Sequence, residues 1–488
     1  MTIEQIVNIV KENNPKADLD LLRLAYDFAE NAHQGQKRKS GEPYIMHSLH
    51  TAYMLAQIKA DLNTIIAGLL HDVPEDTEKT LDDVKSNFGE EIYILVEGIT
   101  KLSKIKYRGV ERYKESLRKM ILAMAKDLRI ILIKFADRLH NLRTLDALPP
   151  DKQKRIAQET LEIYAPIAGL LGIWRLKWQM EDICFKYLYP NDFKKLEYKY
   201  EVEKKAERNR YIQRVKNILE KKLREVGIQY HIEGRFKHLY SIYQKMQKKD
   251  RKFDEIYDVF ALRIIVPTVS DCYKVLGILH TIWKPKVNRF KDYIAVPKPN
   301  GYRSLHTTVF GPEAKATEFQ IRTNEMHDEA LFGIAAHLYY KEKSDPSEAQ
   351  PKWIKEILDL QREAEDTSDF LSKAKIEIFR SRIFVFSPKG DVFELPREAT
   401  PIDFAYSVHS EIGNKAVGAL INDKISQLDQ RLKNGDMVEI IVDKNRKGPN
   451  KDWLNFVKTT RAREKIKQFT KQSALENIKK FIPYKRFN

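Results

Sequence analysis

The chain has 488 residues, two cysteines and a formal charge of +17 from 86 basic and 69 acidic side chains. Cys184 and Cys272 are too few for a disulfide framework or a cysteine-rich zinc cluster, no apolar run approaches membrane-spanning length, and the opening MTIEQIVNIVKENNP lacks the basic and apolar blocks of a signal peptide. What is left is a soluble, cytoplasmic chain of several domains whose positive balance favours anionic partners, nucleotides and RNA among them.

Helical periodicity dominates to about residue 155. Within it, His47 in PYIMHS, the adjacent His71 and Asp72 in GLLHDVPEDT, and Asp137 in IKFADRLHNLRT read as one divalent-metal site. Two imidazoles and two carboxylates suit manganese, iron or zinc and leave positions open for water and a phosphate, which is the equipment for hydrolysing phosphate esters. A His-Asp doublet alone is more often a core or surface pair; two further ligands behind apolar runs, IIAGLL before His71 and RIILIKFA before Asp137, favour the metal. Asp137, Asn141 and Thr144 fall at i, i+4 and i+7 and share one helix face. Arg38 and Lys39, in KRKSGEPY, would hold a phosphate or stack on a base, and Glu75 with Asp76 would orient or deprotonate water; taken alone, each pair reads as a solvated charged loop. Pro74 lacks a backbone donor, so the helix bearing His71 is predicted to end near Val73, with Glu75 and Asp76 on a turn.

These segments resemble the HD hydrolase domain of the RelA/SpoT family, the long (p)ppGpp synthetase/hydrolases. The resemblance implies that His47, His71, Asp72 and Asp137 bind manganese, that Arg38, Lys39, Asn141 and Thr144 hold the guanosine nucleotide, and that Glu75 and Asp76 assist attack of water on the 3′-pyrophosphate. The implied products are GDP or GTP plus pyrophosphate.

A helical connector, placed at 156–195, carries PIAGLLGIWRLKWQMEDICFKYLYP and leads to a second constellation over 196–341. In EGRFKHLYSIYQKM, Lys237, Ser241 and Lys245 recur every four residues and line one side of a predicted helix, with Arg235 ahead of it. A solvated basic helix is the alternative. YDVFALRIIV reads as a strand with Asp258 near its start, and ATEFQIRT as another in which Glu318, Gln320 and Arg322 share a face while Phe319 and Ile321 point to a core. Between them, NRFKDYIAVPKPNGYRSLHTTV gathers Arg289, Lys291, Lys298, Asn300, Tyr302 and His306 around a Gly-centred turn, interleaving cations with an aromatic as nucleotide binding requires.

This region resembles the synthetase domain of the same family over its whole length, through MHDEALFGIAAH. By that resemblance Arg235, Lys237, Ser241, Lys245, Arg263 and Arg322 grip ATP, Asp258 holds magnesium, and Glu318 is the base. Tyr302 stacks on guanine, while Lys298, Asn300 and His306, with Arg289, Lys291 and Gln320, bind GDP or GTP. The implied reaction is pyrophosphoryl transfer: Glu318 takes the 3′-hydroxyl proton, the oxygen attacks the β-phosphorus of ATP, and AMP leaves. RFKD, Arg289 to Asp292, is the variant the family associates with bifunctional enzymes.

KEKSDPSEAQPKW signals a linker with a helix over 342–378, after which short β runs alternate with PKGD and NGD turns over 379–443. That stretch resembles a TGS domain, a small β-rich, β-grasp-like module that meets tRNA on the ribosome in long family members, and His409 in YSVHSEIG matches the histidine implicated there. A basic tail of helical pattern, 444–488, follows, and the regulatory domains found beyond it in long members are not expected in this chain. The expected fold is thus multidomain: an all-α HD domain over 1–155, an α+β nucleotidyltransferase-like synthetase domain with a mixed sheet, and the TGS module. Opposed activities on one chain would waste ATP, which motivates reciprocal coupling through the connector near Trp174 and Trp178, with ordinary core packing as the alternative for both. Three other readings remain open at the level of sequence: a synthetase with an inactive HD domain, a ribosome- or tRNA-binding regulator without turnover, and a tRNA nucleotidyltransferase carrying an HD domain.

Overall fold

Short polar caps set where the first helices begin: Asp18 accepts from the Leu21 N–H, Asp61 from Thr64 and Asp127 from Arg129, each at 2.9 to 3.0 Å. The computed structural model describes residues 1–103, 119–120, 122–124, 126–203, 205–235, 238–249, 260–298, 301–333, 382–388, 391–433, 435–446, 448–459 and 461–470. It divides into two compact units, Met1–Ala374 and Lys375–Asn488.

The first unit opens with α1 (Ile3–Asn13), α2 (Leu19–Ala32), α3 (Ile45–Gln57), α4 (Leu62–Leu70), the single turn α5 (Val73–Asp76), α6 (Leu81–Ser103) and α7 (Leu128–Arg143). Helices α3, α4 and α7 are apolar on most sides and form the centre of this region. Their approach is close because small residues permit it: a Cβ on Gly68 would stand 2.5 Å from Leu55 Cδ1, so α4 rests directly on α3. That contact brings the end of α4, and therefore His71, beside His47. The chain does stop its helix before Pro74, as expected, but resumes it at once. Pro74 falls in the first turn of α5, where its missing N–H has no partner to lose, and Glu75 and Asp76 lie on that helical turn.

The connecting region runs through α8 (Pro150–Glu159) and α9 (Ala165–Leu170) to α10 (Trp174–Leu188), then α11 (Pro190–Glu197) and α12 (Lys205–Glu225). Helix α10 touches the chain on both sides of it. Arg143 of α7 donates to Gln179 at 2.6 Å and Arg175 donates to Gln57 of α3 at 3.1 Å. Toward the other side, Trp178 stacks on His238 at 4.4 Å, and Phe185 joins Ile242, Tyr240 and Tyr243 in an apolar cluster.

The five-stranded sheet has the order β1-β2-β5-β4-β3, with β1 (His231–Gly234), β2 (Ala261–Val266), β3 (Lys291–Asp292), β4 (Leu305–Phe310) and β5 (Ala316–Thr323). Only β2 and β5 pair in parallel, so the sheet is mixed. Helices α12 and α14 (Val269–Ile282) supply its core with Val215, Leu219, Leu223, Val275 and Leu279, against Leu262, Ile264, Phe319 and Ile321. Helix α13 (Leu239–Lys249) lies between β1 and β2 in the chain, and α15 (Asn324–Phe332) follows β5. Lys59, at the end of α3, bridges to Asp328 of α15 at 2.8 Å.

The second unit holds β6 (Arg382–Phe386), β7 (Val392–Pro396), α16 (Pro401–Val408), α17 (Ser410–Lys415) and a three-stranded sheet β10-β8-β9, formed by β8 (Ala416–Ile421), β9 (Lys424–Ser426) and β10 (Val438–Val442). Its packing continues past 443. Trp453, Val457, Ala462 and Ile466 are buried with Ile402, Tyr406 and Ala416, and the buried Asp403 accepts the backbone N–H groups of Lys458 and Thr459.

Candidate functional site

Four side chains from three helix segments converge in the first unit. His47 on α3, His71 at the end of α4 and Asp137 on α7 are buried and offer ligand atoms within 4.8 Å of one another, a group able to hold a metal ion. Asp72 belongs with them: its Oδ2 lies 3.3 Å from His47 Nε2 and its Oδ1 lies 3.2 Å from His71 Nε2. His47 Nε2 is also 3.4 Å from Asp137 Oδ1.

The hydrogen bonds around these atoms argue for a cation. His71 uses Nδ1 to donate to the Gly68 carbonyl at 2.8 Å, so its Nε2 carries a lone pair, and that buried atom has no hydrogen-bond partner among the described residues. The lone pair faces a carboxylate, a repulsive arrangement that a cation between them would reconcile. Burial pushes His71 below its ordinary pKa, keeping it neutral and available as a ligand. Asp137 is oriented on both oxygens, with Lys134 Nζ at 2.7 Å from Oδ2 and Asn141 Nδ2 donating to Oδ1. Burial opposes its charge, yet Lys134 and the two histidines outweigh that and hold its carboxyl well below the usual range.

Arg38 reaches into the same cluster, donating to Asn141 Oδ1 and lying 3.1 Å from His140 Nδ1. Lys39 is exposed in the adjoining turn. The Tyr44 hydroxyl lies 2.9 Å from Asp72 Oδ2 and 2.5 Å from Asp76 Oδ2, linking a ligand to one of the two acids on α5. Thr144 ends α7, and its hydroxyl turns back to the His140 carbonyl at 3.4 Å.

The second cluster lies on one face of the mixed sheet. Registered pairs run from Glu233 to Arg263, Arg263 to Gln320, Gln320 to His306 and His306 to Lys291, a polar row across all five strands. Glu318 sits two residues before Gln320 on β5. Its Oε1 accepts from Gln320 Nε2 at 3.0 Å and from Arg235 at 3.4 Å, with His306 Nδ1 at 3.6 Å. This face is not an ordinary wetted one: Gln320 and Arg322 are as buried as Phe319 and Ile321 opposite. Arg322 Nε and Nη2 have no hydrogen-bond partner among the described residues, and burial together with Arg263 lowers its pKa. A buried guanidinium with unused donors is suited to an anion.

Tyr302 donates to or accepts from His306 Nε2 at 2.8 Å, and Lys298 Nζ lies between the rings of Tyr293 and Tyr302, 4.6 and 4.7 Å from their centres. Burial pushes Lys298 down to about 8 and His306 down to about 2. Ser241 and Lys245 lie on α13, Lys245 exposed, and Arg289 is exposed ahead of β3. Lys237, Asp258 and Asn300 lie outside the described residues.

Three family matches divide the chain: residues 25–174 match the HD domain, 234–345 the region found in RelA/SpoT proteins, and 383–442 the TGS domain. The chain is 48% identical over 96% of its length to a GTP pyrophosphokinase of Myxococcus xanthus, covering 62% of that protein. It is 48% identical over 94% of its length to a probable guanosine-3′,5′-bis(diphosphate) 3′-pyrophosphohydrolase of Synechocystis, covering 61%. With the bifunctional (p)ppGpp synthase/hydrolase SpoT of Escherichia coli K12 it shares 46% identity over 96% of this chain and 67% of that one. The chain belongs to the RelA/SpoT family. It spans about three fifths of the length of the first curated relatives it matches.

Within this RelA/SpoT chain, sequence reading passed over Tyr44, Lys134, His140 and Tyr293. Lys134 and Asp137 stand at i and i+3, a spacing that signals an ion pair on a helix. His140 and Tyr44 gave no such signal, since the groups they meet come from distant segments. In the TGS unit, His409 is exposed between α16 and α17, where its Nδ1 accepts from the Glu411 N–H at 3.2 Å. No helix among the described residues is long and apolar enough to cross a membrane.

Proposed function

We propose that this protein both makes and destroys the stringent-response alarmone (p)ppGpp in the cytoplasm. The reading is carried by one observation: a single compact unit holds both a buried His-His-Asp metal group and a carboxylate, Glu318, that accepts from Arg235 and acts on Lys298, whose ammonium lies over the Tyr302 ring. The first fits removal of a phosphate group by water, and the second fits its transfer to a hydroxyl.

In hydrolysis, Arg38, Lys39, Asn141 and Thr144 hold the guanosine nucleotide, while Glu75 and Asp76 orient water and receive its proton. Manganese bound at His47, His71, Asp72 and Asp137 supplies charge neutralisation and Lewis acidity. Water attacks the 3′-pyrophosphate, and GDP or GTP leaves with pyrophosphate as the second product.

In synthesis, Arg235, Lys237, Ser241, Lys245, Arg263 and Arg322 grip ATP with magnesium at Asp258. Tyr302 stacks on the acceptor guanine, and Arg289, Lys291, Lys298, Asn300, His306 and Gln320 surround its remaining groups. Glu318 removes the 3′-hydroxyl proton, the freed oxygen bonds to the β-phosphorus of ATP, and the bond to the α-phosphate oxygen breaks to release AMP. Positioning and charge neutralisation carry most of such a transfer. The TGS unit, with His409 exposed, contacts tRNA on the ribosome.

The test incubates the protein with ATP and GDP under magnesium, then supplies ppGpp under manganese, and separates the nucleotides. Conversion in both halves is expected. Synthesis without hydrolysis would assign an inactive HD domain, no turnover in either half would leave a binding regulator, and extension of added RNA ends would indicate a nucleotidyltransferase.

A further inference from the structure

We propose that His140 is a positioning residue of the hydrolase site: its Nδ1 accepts the Nδ1–H of His47 and so keeps the His47 Nε2 lone pair turned toward Asp72 and Asp137. The inference rests on the hydrolase reading above and assigns the residue that orients one of the two histidine ligands.

Two ring nitrogens 2.8 Å apart, as His47 Nδ1 and His140 Nδ1 are, require a hydrogen between them, one ring donating and the other accepting. The ligand atom of His47 is Nε2, which faces both carboxylates. A neutral imidazole that offers Nε2 to a cation must carry its hydrogen on Nδ1, so His47 donates and His140 accepts. Arg38 favours the same assignment. Its guanidinium has donors only, and Nη1 lies 3.1 Å from His140 Nδ1, nearer than the 3.3 Å to His47 Nδ1. A hydrogen on His140 Nδ1 would set two donors against each other.

The His140 ring is fixed for this task. It is buried and stacks on His50 with ring centres 4.5 Å apart. The other histidine ligand has the matching arrangement in a different form, since His71 Nδ1 donates to a backbone carbonyl, which can only accept. Orienting partners of this kind set ligand tautomer and ring angle, and their loss typically weakens metal binding by roughly 10- to 100-fold. Through Arg38 and Asn141 the His140 contact also connects to Asp137, so the ligands from α3 and α7 share one hydrogen-bonded circuit.

The experiment compares His140→Leu, which removes the acceptor, with His140→Asn, whose side-chain oxygen restores one near the Nδ1 position. Mn2+ affinity of the full chain is read from the electron paramagnetic resonance of free Mn2+, alongside ppGpp hydrolysis at varied Mn2+ and (p)ppGpp synthesis as a check of folding. Leucine should weaken Mn2+ binding about 10- to 100-fold, with hydrolysis largely regained at high Mn2+, while asparagine stays within about threefold of the parent. Parent-like affinity in the leucine variant, or equal losses in both, overturns the assignment. Should the leucine chain not fold, 15N-histidine spectra of the Zn2+-loaded parent decide: His47 protonated at Nδ1 supports it, and His47 bare at Nδ1 overturns it. A parent chain that takes up no Mn2+ overturns the hydrolase reading together with this one, whereas parent uptake with indifferent variants overturns this one alone.

Discussion

Asp182, on α10, accepts the backbone N–H of Tyr240 at 2.9 Å and thereby caps α13 from another part of the chain. Burial pushes its carboxyl up from 3.8 to about 6 despite that bond. The folded state therefore holds the Asp182 proton more tightly than the unfolded state does. The resulting stability is complete below pH 4 and is lost as pH rises through about 6, a change on the order of 3 kcal/mol. Thermal midpoints measured from pH 4 to 7 should show this slope in the parent and lack it in Asp182→Asn, which keeps the acceptor without the charge. Asp182→Ala should fall about 1 kcal/mol short of Asp182→Asn at pH 7, from the missing cap. Because α13 carries Ser241 and Lys245, its KM for ATP should rise as well.

Glu318→Gln preserves the shape of the β5 face while removing the carboxylate proposed as the base. Synthesis from ATP and GDP should fall by roughly a hundred- to ten-thousandfold, with hydrolysis of ppGpp and the thermal midpoint unchanged. A variant that keeps a tenth of the parent rate would remove Glu318 from the proton transfer.

Lys298 loses its charge near pH 8, above which it no longer attracts an anionic acceptor. The KM for GDP should climb as pH passes from 7.5 to 9 on this account, while kcat changes less. Lys298→Arg, charged throughout, should flatten that climb; an unaltered profile would place the dependence elsewhere.

Metal removal should separate the two activities. After dialysis against a chelator, added Mn2+ should restore hydrolysis and Mg2+ should restore synthesis. Metal at a hundred times its dissociation constant stabilises the fold that binds it by about 2.7 kcal/mol, visible as a raised thermal midpoint in the parent and absent in Asp137→Asn.

If the connector couples the two sites, saturating GDP with a nonreactive ATP analogue should slow ppGpp hydrolysis, and Trp178→Ala should relieve the effect. Trp178 is placed for this by its stack on His238, while Gln179 on the same helix meets Arg143 of α7. Hydrolysis indifferent to both nucleotides would reject the coupling.

The metal group was legible in sequence because its ligands are chemically unusual for the apolar helices that carry them. Its surroundings were not, since His140 reaches His47 only after α3 and α7 cross, and sequence periodicity does not report crossings. The alternation of β5 was read correctly, with Phe319 and Ile321 in the core. The burial of Gln320 and Arg322 on the opposite face depends on neighbours from β2 and β4, which a single strand does not reveal. Likewise, no local pattern around Asp182 points to its partner, which lies 58 positions away.

Asp403 gives the module after residue 375 a practical boundary. Its carboxylate ties the Lys458 and Thr459 backbone into the fold, and Ala462 and Ile466 are buried in one cluster with Ile402 and Tyr406. An excised fragment stopping at 443 would expose Tyr406 and Ile402 to water and should aggregate on expression, whereas one extended to 470 keeps its own lid.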